Sequence, residues 1–155
     1  MKLVVHRRIA VRPDELFALS QDYGRRLEWD SFLQEAYLLH GAVQAAVGVE
    51  SYCKSKGGSV MVSQYVSYRP PHVAAVTMTR GPALLHSFSG TWEFRAAPDG
   101  GTDVRFVYNF RLRPAWLRPL LEPLVARIYG SQMRRRLAAF QRWSEGGAMP
   151  VRGQG

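Results

Sequence analysis

From Pro114 to Glu145 the chain reads PAWLRPLLEPLVARIYGSQMRRRLAAFQRWSE, the one stretch long enough for a major helix. From about Phe32 up to that point it reads as strands and tight turns. A long terminal helix beside a run of antiparallel strands must be what the sheet packs its apolar face against. Beyond Gly130 the apolar stripe is Met133, Leu137 and Phe140, with Ala126 and Tyr129 earlier on the same side. Before Gly130 the bulky residues are Leu117, Leu120, Leu121, Leu124 and Ile128. At about 100° per residue this second stripe lies nearly opposite the first. One straight helix cannot bury both against one sheet. Pro119 and Pro123 fall in the first half, and proline inside a helix removes a hydrogen bond and tends to kink the chain. The expectation is a break between about Pro119 and Gly130, with a separate short helix before it. That piece would be a lid over a cavity, or an apolar patch offered to a membrane or a second subunit.

Residues 2–11 alternate, with Leu3, Val5, Ile9 and Val11 on one side and Arg7 breaking the pattern. Pro13 can open a helix, and Asp14 and Glu15 complement the dipole of its first turn. The segment PDELFALSQDY therefore reads as a short helix burying Leu16, Phe17 and Leu19 or Ser20, and a second short helix or turn covers Gly24–Asp30. Strands are expected at 32–40, 47–55, 59–69, 73–80, 84–96 and 102–112, separated by breakers such as KGG, RPPH, RGP and APDGG. Spacings this short imply hairpins and an antiparallel meander. In the last two strands His86, Phe88, Gly90, Trp92 and Phe94 of the first, and Val104, Phe106, Tyr108, Phe110 and Leu112 of the second, fall on the same inward face. One side of the sheet is buried and the other wet. Gly90 within its strand marks a bend or bulge. A curved sheet around a terminal helix leaves space between them, and small-molecule sites are concave and mostly apolar.

The 155 residues carry a formal charge of +9, mostly from arginine. Such charge suits an anionic lipid surface or an acidic partner. Nucleic-acid binding would interleave it with exposed aromatics; here the aromatics alternate inward and no recognition motif is present, so no nucleic-acid partner is expected. The triplet Arg134–Arg136 points around much of the helix, so at least one of the three brushes the inner face. The single cysteine, Cys53, forbids an internal disulfide. His6, His40, His72 and His86 lack ligand spacing, so neither a metal nor another cofactor is expected. The N-terminal apolar run is too short for a signal peptide, and no stretch approaches the roughly 20 apolar residues that span a bilayer. The expectation is a cytoplasmic protein with one domain over 1–145 and a flexible Gly-rich tail over 146–155.

The segment IAVRPDELFALSQDYGRRLEWDSF, then GVESY, then SGTWEF with a hairpin into GGTDVRFVYNFRL, resembles the START-like helix-grip superfamily. The likeness covers roughly residues 2–145 and is nearest to the bacterial polyketide cyclase/dehydrase and lipid-transport type. Its most specific pieces are Pro13, Leu16 and Phe17, the Glu28-Trp29-Asp30 run, and the Gly90-x-Trp92-x-Phe94 strand. The resemblance implies an α+β fold: a curved antiparallel sheet of about seven strands around a long C-terminal helix, with two short helices after the first strand. It also implies a cavity for lipids, polyketides, plant hormones or quinones, in proteins that are carriers or, in some cases, enzymes. Fold alone does not give function.

The candidate ligand-binding residues are Trp29, Tyr65, His86, Phe88, Trp92, Phe106, Tyr108, Tyr129 and Met133. Trp29 either stands at the cavity mouth, as the resemblance implies, or plugs the core. His86 and Tyr108 each bring a polar atom onto an apolar face, and an unpartnered buried polar group costs about 1–3 kcal/mol. A polyketide cyclase or dehydratase needs an acid–base group in the cavity, and His86, Tyr108 and Arg80 are its only evident suppliers. Asp22, Glu28 and Asp30 read as capping and surface charge. The expected function is binding or transport of a hydrophobic small molecule, with cyclase-like catalysis as the alternative. Contact with an anionic membrane, or a homodimer through Leu117, Leu121, Leu124 and Ile128, is the further partner reading.

Overall fold

Alternation of apolar and polar residues is strong enough here to set nearly every strand, and the computed structural model, which describes residues 1–148, shows how they assemble. Lys2–Ile9 (β1) leads into Pro13–Ser20 (α1), a 3-10 turn at Tyr23–Arg25 and the one-turn helix Arg26–Trp29 (α2). Six strands follow: Leu33–Leu38 (β2), Glu50–Ser55 (β3), Val60–Arg69 (β4), Val73–Arg80 (β5), Leu85–Ala96 (β6) and Thr102–Leu112 (β7). A 3-10 turn at Ala115–Leu117 opens into Arg118–Glu145 (α3). The seven strands form one antiparallel sheet in the order β1-β7-β6-β5-β4-β3-β2. This is the helix-grip architecture, with α3 against β1 and β7 and the short helices against α3, β2 and β6. Several elements are shorter than their patterns suggest: β1 ends at Ile9, α1 at Ser20, and β3 begins at Glu50.

The core joins the inward rows of β6 and β7 to one face of α3. Phe94, Val104, Phe110, Met133, Leu137 and Phe140 are all essentially inaccessible to solvent. Helix α1 adds Leu16, Phe17 and Leu19, with Phe17 edge-on to Phe94 at 5.4 Å. Arg7, which breaks the β1 pattern, lies at the rim, where its side chain donates to Gln141 of α3.

The terminal helix departs from the expectation. It runs unbroken from Arg118 to Glu145, and only a 3-10 turn stands before it. Pro119 lies in the first turn, where an N–H has no intrahelical partner, and Pro123 removes one bond a turn later. Packing of the remaining helix tolerates that loss. The first-half stripe divides instead of turning as a unit. Leu121, Val125 and Tyr129 pack against the core. Trp116, Leu120, Leu124 and Ile128, each four residues on from the last, are 76%, 73%, 57% and 49% exposed. The exposed apolar row thus differs from the one expected: Leu121 packs inward, Leu117 is half-buried, and Trp116 and Leu120 join Leu124 and Ile128.

Two smaller corrections concern β6. The sheet register passes through Gly90, paired with Tyr108, without a bulge. The irregularity lies between Leu85 and Ser87. The extra residue there turns Leu85 inward, 1% exposed, and puts His86 on the exposed side. No helix among the described residues is long and apolar enough to cross a membrane. The tail expected over 146–155 falls, from residue 149 on, outside the described residues.

Candidate functional site

Between the concave face of the sheet and α3 lies a cavity of about 440 Å³. The period of two in β6 and β7 sends Phe88, Trp92, Phe106 and Tyr108 to its floor. Gly90, with no side chain, leaves room among them: a Cβ there would meet the Tyr108 ring at 3.5 Å. The aromatics brace one another, Trp92 stacked on Phe106 at 4.3 Å and Phe88 edge-on to Tyr108 at 4.7 Å. Such pairs add to area burial and hold each ring's orientation. From α3 come Tyr129, Gln132 and Arg136. The opposite wall, on β3 and β4, is more polar, with Ser51 paired to Ser63 across the sheet and both lining the cavity.

The most polar part of the wall is an ion cluster. The Asp30 carboxylate is completely buried at the end of α2. It accepts from Arg26 Nε at 2.9 Å and from Arg136 Nη2 at 2.7 Å. Arg136 Nη1 also donates to the Tyr108 hydroxyl at 2.8 Å. Arg26 lies over the Trp29 ring at 4.6 Å, and Arg136 over the Phe32 ring at 5.0 Å, the geometry of cation–π attraction. Burial by itself pushes the Asp30 carboxyl up, but Arg136 and Arg26 together outweigh it and hold its pKa at about 2. Burial opposes the charged form of Arg136 as well, yet Tyr108 and Asp30 outweigh it and raise its pKa. Burial raises the pKa of Tyr108 against the pull of Arg136, so the hydroxyl keeps its proton at neutral pH. A second polar contact stands nearby, where Tyr65 donates to Gln21 Oε1 at 2.6 Å.

Of the residues singled out from the sequence, Tyr65, Phe88, Trp92, Phe106, Tyr108 and Tyr129 line this cavity. Trp29, Met133 and His86 do not. Trp29 fills the core, 4.8 Å from the Phe140 ring, and its buried indole Nε1 has no acceptor among the described residues. Met133 is fully buried in the core. His86 is exposed because of the β6 bulge, so it does not converge with Tyr108. Arg80 is exposed as well. Asp30, read as capping and surface charge, is buried, and so is Arg26 beside it. Arg136 has a legible signal: it stands three residues after Met133 and four before Phe140, on the inward stripe. The lid role given to the first half of the terminal helix is not met, since the α3 residues at the cavity begin at Tyr129. No group of three His, Cys, Asp or Glu among the described residues is placed to hold a metal ion.

A curled seven-stranded sheet gripping a terminal helix over a lined cavity defines the START-like class. A family model described as polyketide cyclase/dehydrase and lipid transport matches residues 1–145, and the chain belongs to that family. Solved structures agree on the fold. A START superfamily protein from Mycobacterium smegmatis superposes with a TM-score of 0.78 at 9% identity, covering 94% of this chain and 97% of that one. TTHA0849 from Thermus thermophilus gives 0.76 at 14% identity, covering 92% and 95%. The di-domain ARO/CYC protein StfQ of the steffimycin biosynthetic pathway gives 0.75 at 14% identity, covering 94% of this chain and 50% of that one. No curated protein sequence matches the chain.

Proposed function

We propose that this protein holds a hydrophobic or aromatic small molecule, of the lipid, polyketide or quinone kind, in the cavity between the sheet and α3. The observation that carries this reading is the lining itself: an aromatic floor with a few polar groups at fixed positions, in a volume suited to one small ligand. The family description, which names polyketide chemistry and lipid transport, supports the same class. Turnover of such a ligand would fall to Tyr108, the proton-bearing group that Arg136 orients, and not to His86. Mass spectrometry of organics extracted from the purified protein, with titration by a neutral fluorescent probe such as N-phenyl-1-naphthylamine, tests the reading. A co-purified ligand, or probe displacement by lipids or polyketides, is expected; neither would refute it. Tyr108→Phe is expected to weaken an oxygen-bearing ligand about tenfold while lowering the thermal midpoint by no more than about 4 °C.

A second reading concerns the outer face of α3. Its exposed row of Trp116, Leu120, Leu124 and Ile128 is flanked by exposed Arg127, Arg134 and Arg135, and the one acid between them, Glu122, is buried. Apolar residues bordered by arginines suit an anionic lipid surface. In flotation assays Leu124→Glu is expected to reduce binding to phosphatidylserine vesicles several-fold, and wild-type binding to fall as salt rises. Equal binding to neutral vesicles at all salt concentrations would sink this reading.

A further inference from the structure

The cavity wall holds more positive than negative charge. Arg26 and Arg136 both line the cavity, and no aspartate or glutamate does. Behind them stands one carboxylate, Asp30, shared by both guanidinium groups. Two cations against one anion leave a positive charge without a counter-charge. The side chains are 8% and 12% exposed, so bulk water does little to screen it. Burial pushes the Cys53 thiol and the Tyr23, Tyr65 and Tyr108 hydroxyls up, so none of these supplies the missing negative charge at neutral pH. Hydrogen bonding points the same way. The terminal nitrogens of Arg26 find no acceptor among the described residues. The Tyr108 oxygen accepts from Arg136, and no described residue takes the hydroxyl proton. A buried charge of this kind is stable only when it is paired or hydrogen-bonded.

Resting on the proposed cavity function, we infer that the ligand is an acidic amphiphile: an apolar or aromatic body with one anionic oxygen group, a carboxylate or an acidic enol or phenol, seated on Arg136, Arg26 and the Tyr108 hydroxyl. The apolar body lies on Phe88, Trp92 and Phe106, and the anionic oxygen completes the Arg26–Asp30–Arg136 cluster. Neutral molecules of the same shape leave that charge unanswered and bind more weakly.

The test uses a matched pair of fluorescent probes, 1-anilinonaphthalene-8-sulfonate and N-phenyl-1-naphthylamine, which share a ring system and differ in the sulfonate. Wild-type protein is expected to bind the sulfonate at least about tenfold more tightly. Arg136→Gln leaves Arg26 and Asp30 as a neutral pair, so Asp30 keeps a partner and only the surplus charge is lost. That variant should bring the two affinities within about twofold, while Arg136→Lys, which keeps a charge but loses the fork spanning Asp30 and Tyr108, should keep part of the preference. If wild type binds both probes equally, the acidic-ligand inference falls and the cavity reading stands; if it binds neither, the cavity reading itself falls. A preference that persists in Arg136→Gln, or vanishes at about 0.5 M salt, belongs to the surface arginines and overturns the inference. Should Arg136→Gln fail to fold by circular dichroism, competition on wild type decides. Oleate displacing probe about tenfold better than methyl oleate upholds the inference, and equal displacement overturns it.

Discussion

Replacing Asp30 by Ala is expected to lower the unfolding free energy by about 3–5 kcal/mol, because it strands buried cations. Arg26 and Arg136 both lie against this one carboxylate, which has no solvent exposure. Without it, two guanidinium groups face each other in the wall with no counter-charge. Urea unfolding followed by tryptophan fluorescence measures the loss. Adding Arg136→Gln to Asp30→Ala should recover part of it, since one buried cation then remains. Strict additivity of the two changes would mean that the cluster is not a coupled unit. The same carboxylate gives an acid signature. Its pKa drops from 3.8 to about 2 on folding, so its contribution is fully present above about pH 4 and is lost as the pH falls through about 2. At about 1.4 kcal/mol per pKa unit this amounts to about 2 kcal/mol. The corresponding part of the acid-unfolding slope should be missing in Asp30→Ala.

Trp92→Ala is the second large effect, with an expected loss of about 3–5 kcal/mol and a fall in thermal midpoint of about 10 °C. Trp92 is stacked on Phe106 and Phe94 and lies edge-on to Trp29 and Phe140. It thus joins β6, β7, α2 and α3 at one point. Removing the indole opens a void that these rings cannot all close, since each is held by another ring. The void also enlarges the cavity, so probe affinity should change together with stability. A midpoint unchanged within error in differential scanning calorimetry would contradict the inward placement of this side chain.

The meander from β2 to β7 was legible because a half-buried strand writes its facing into every second residue. The row of Phe88, Trp92, Phe106 and Tyr108 follows from that rule alone. His86 obeys the same alternation and still points outward, because one extra residue at the β6 bulge resets the phase. Nothing in the side chains of Leu85–Ser87 announces that shift. Met133 carries the right facing but is packed within the core and does not line the cavity, a matter of depth that helical period cannot express. The continuous α3 shows the same limit: Pro119 and Pro123 argue locally for a break, and packing of Leu121, Val125 and Tyr129 on the sheet holds the helix together.

Asp30 was the least legible site. In sequence it stands beside Glu28 and near Asp22, in a short polar stretch that reads as solvated charge. Its character comes from Arg136, 106 residues away, which the fold delivers from α3 to the end of α2. Periodicity therefore determined the strands, the terminal helix and the aromatic face by sequence alone, because each depends on neighbours within a few residues. The ion cluster in the cavity wall, the exposed row on α3 and the placement of His86 were decided by tertiary structure, because burial and charge pairing depend on which distant segments meet.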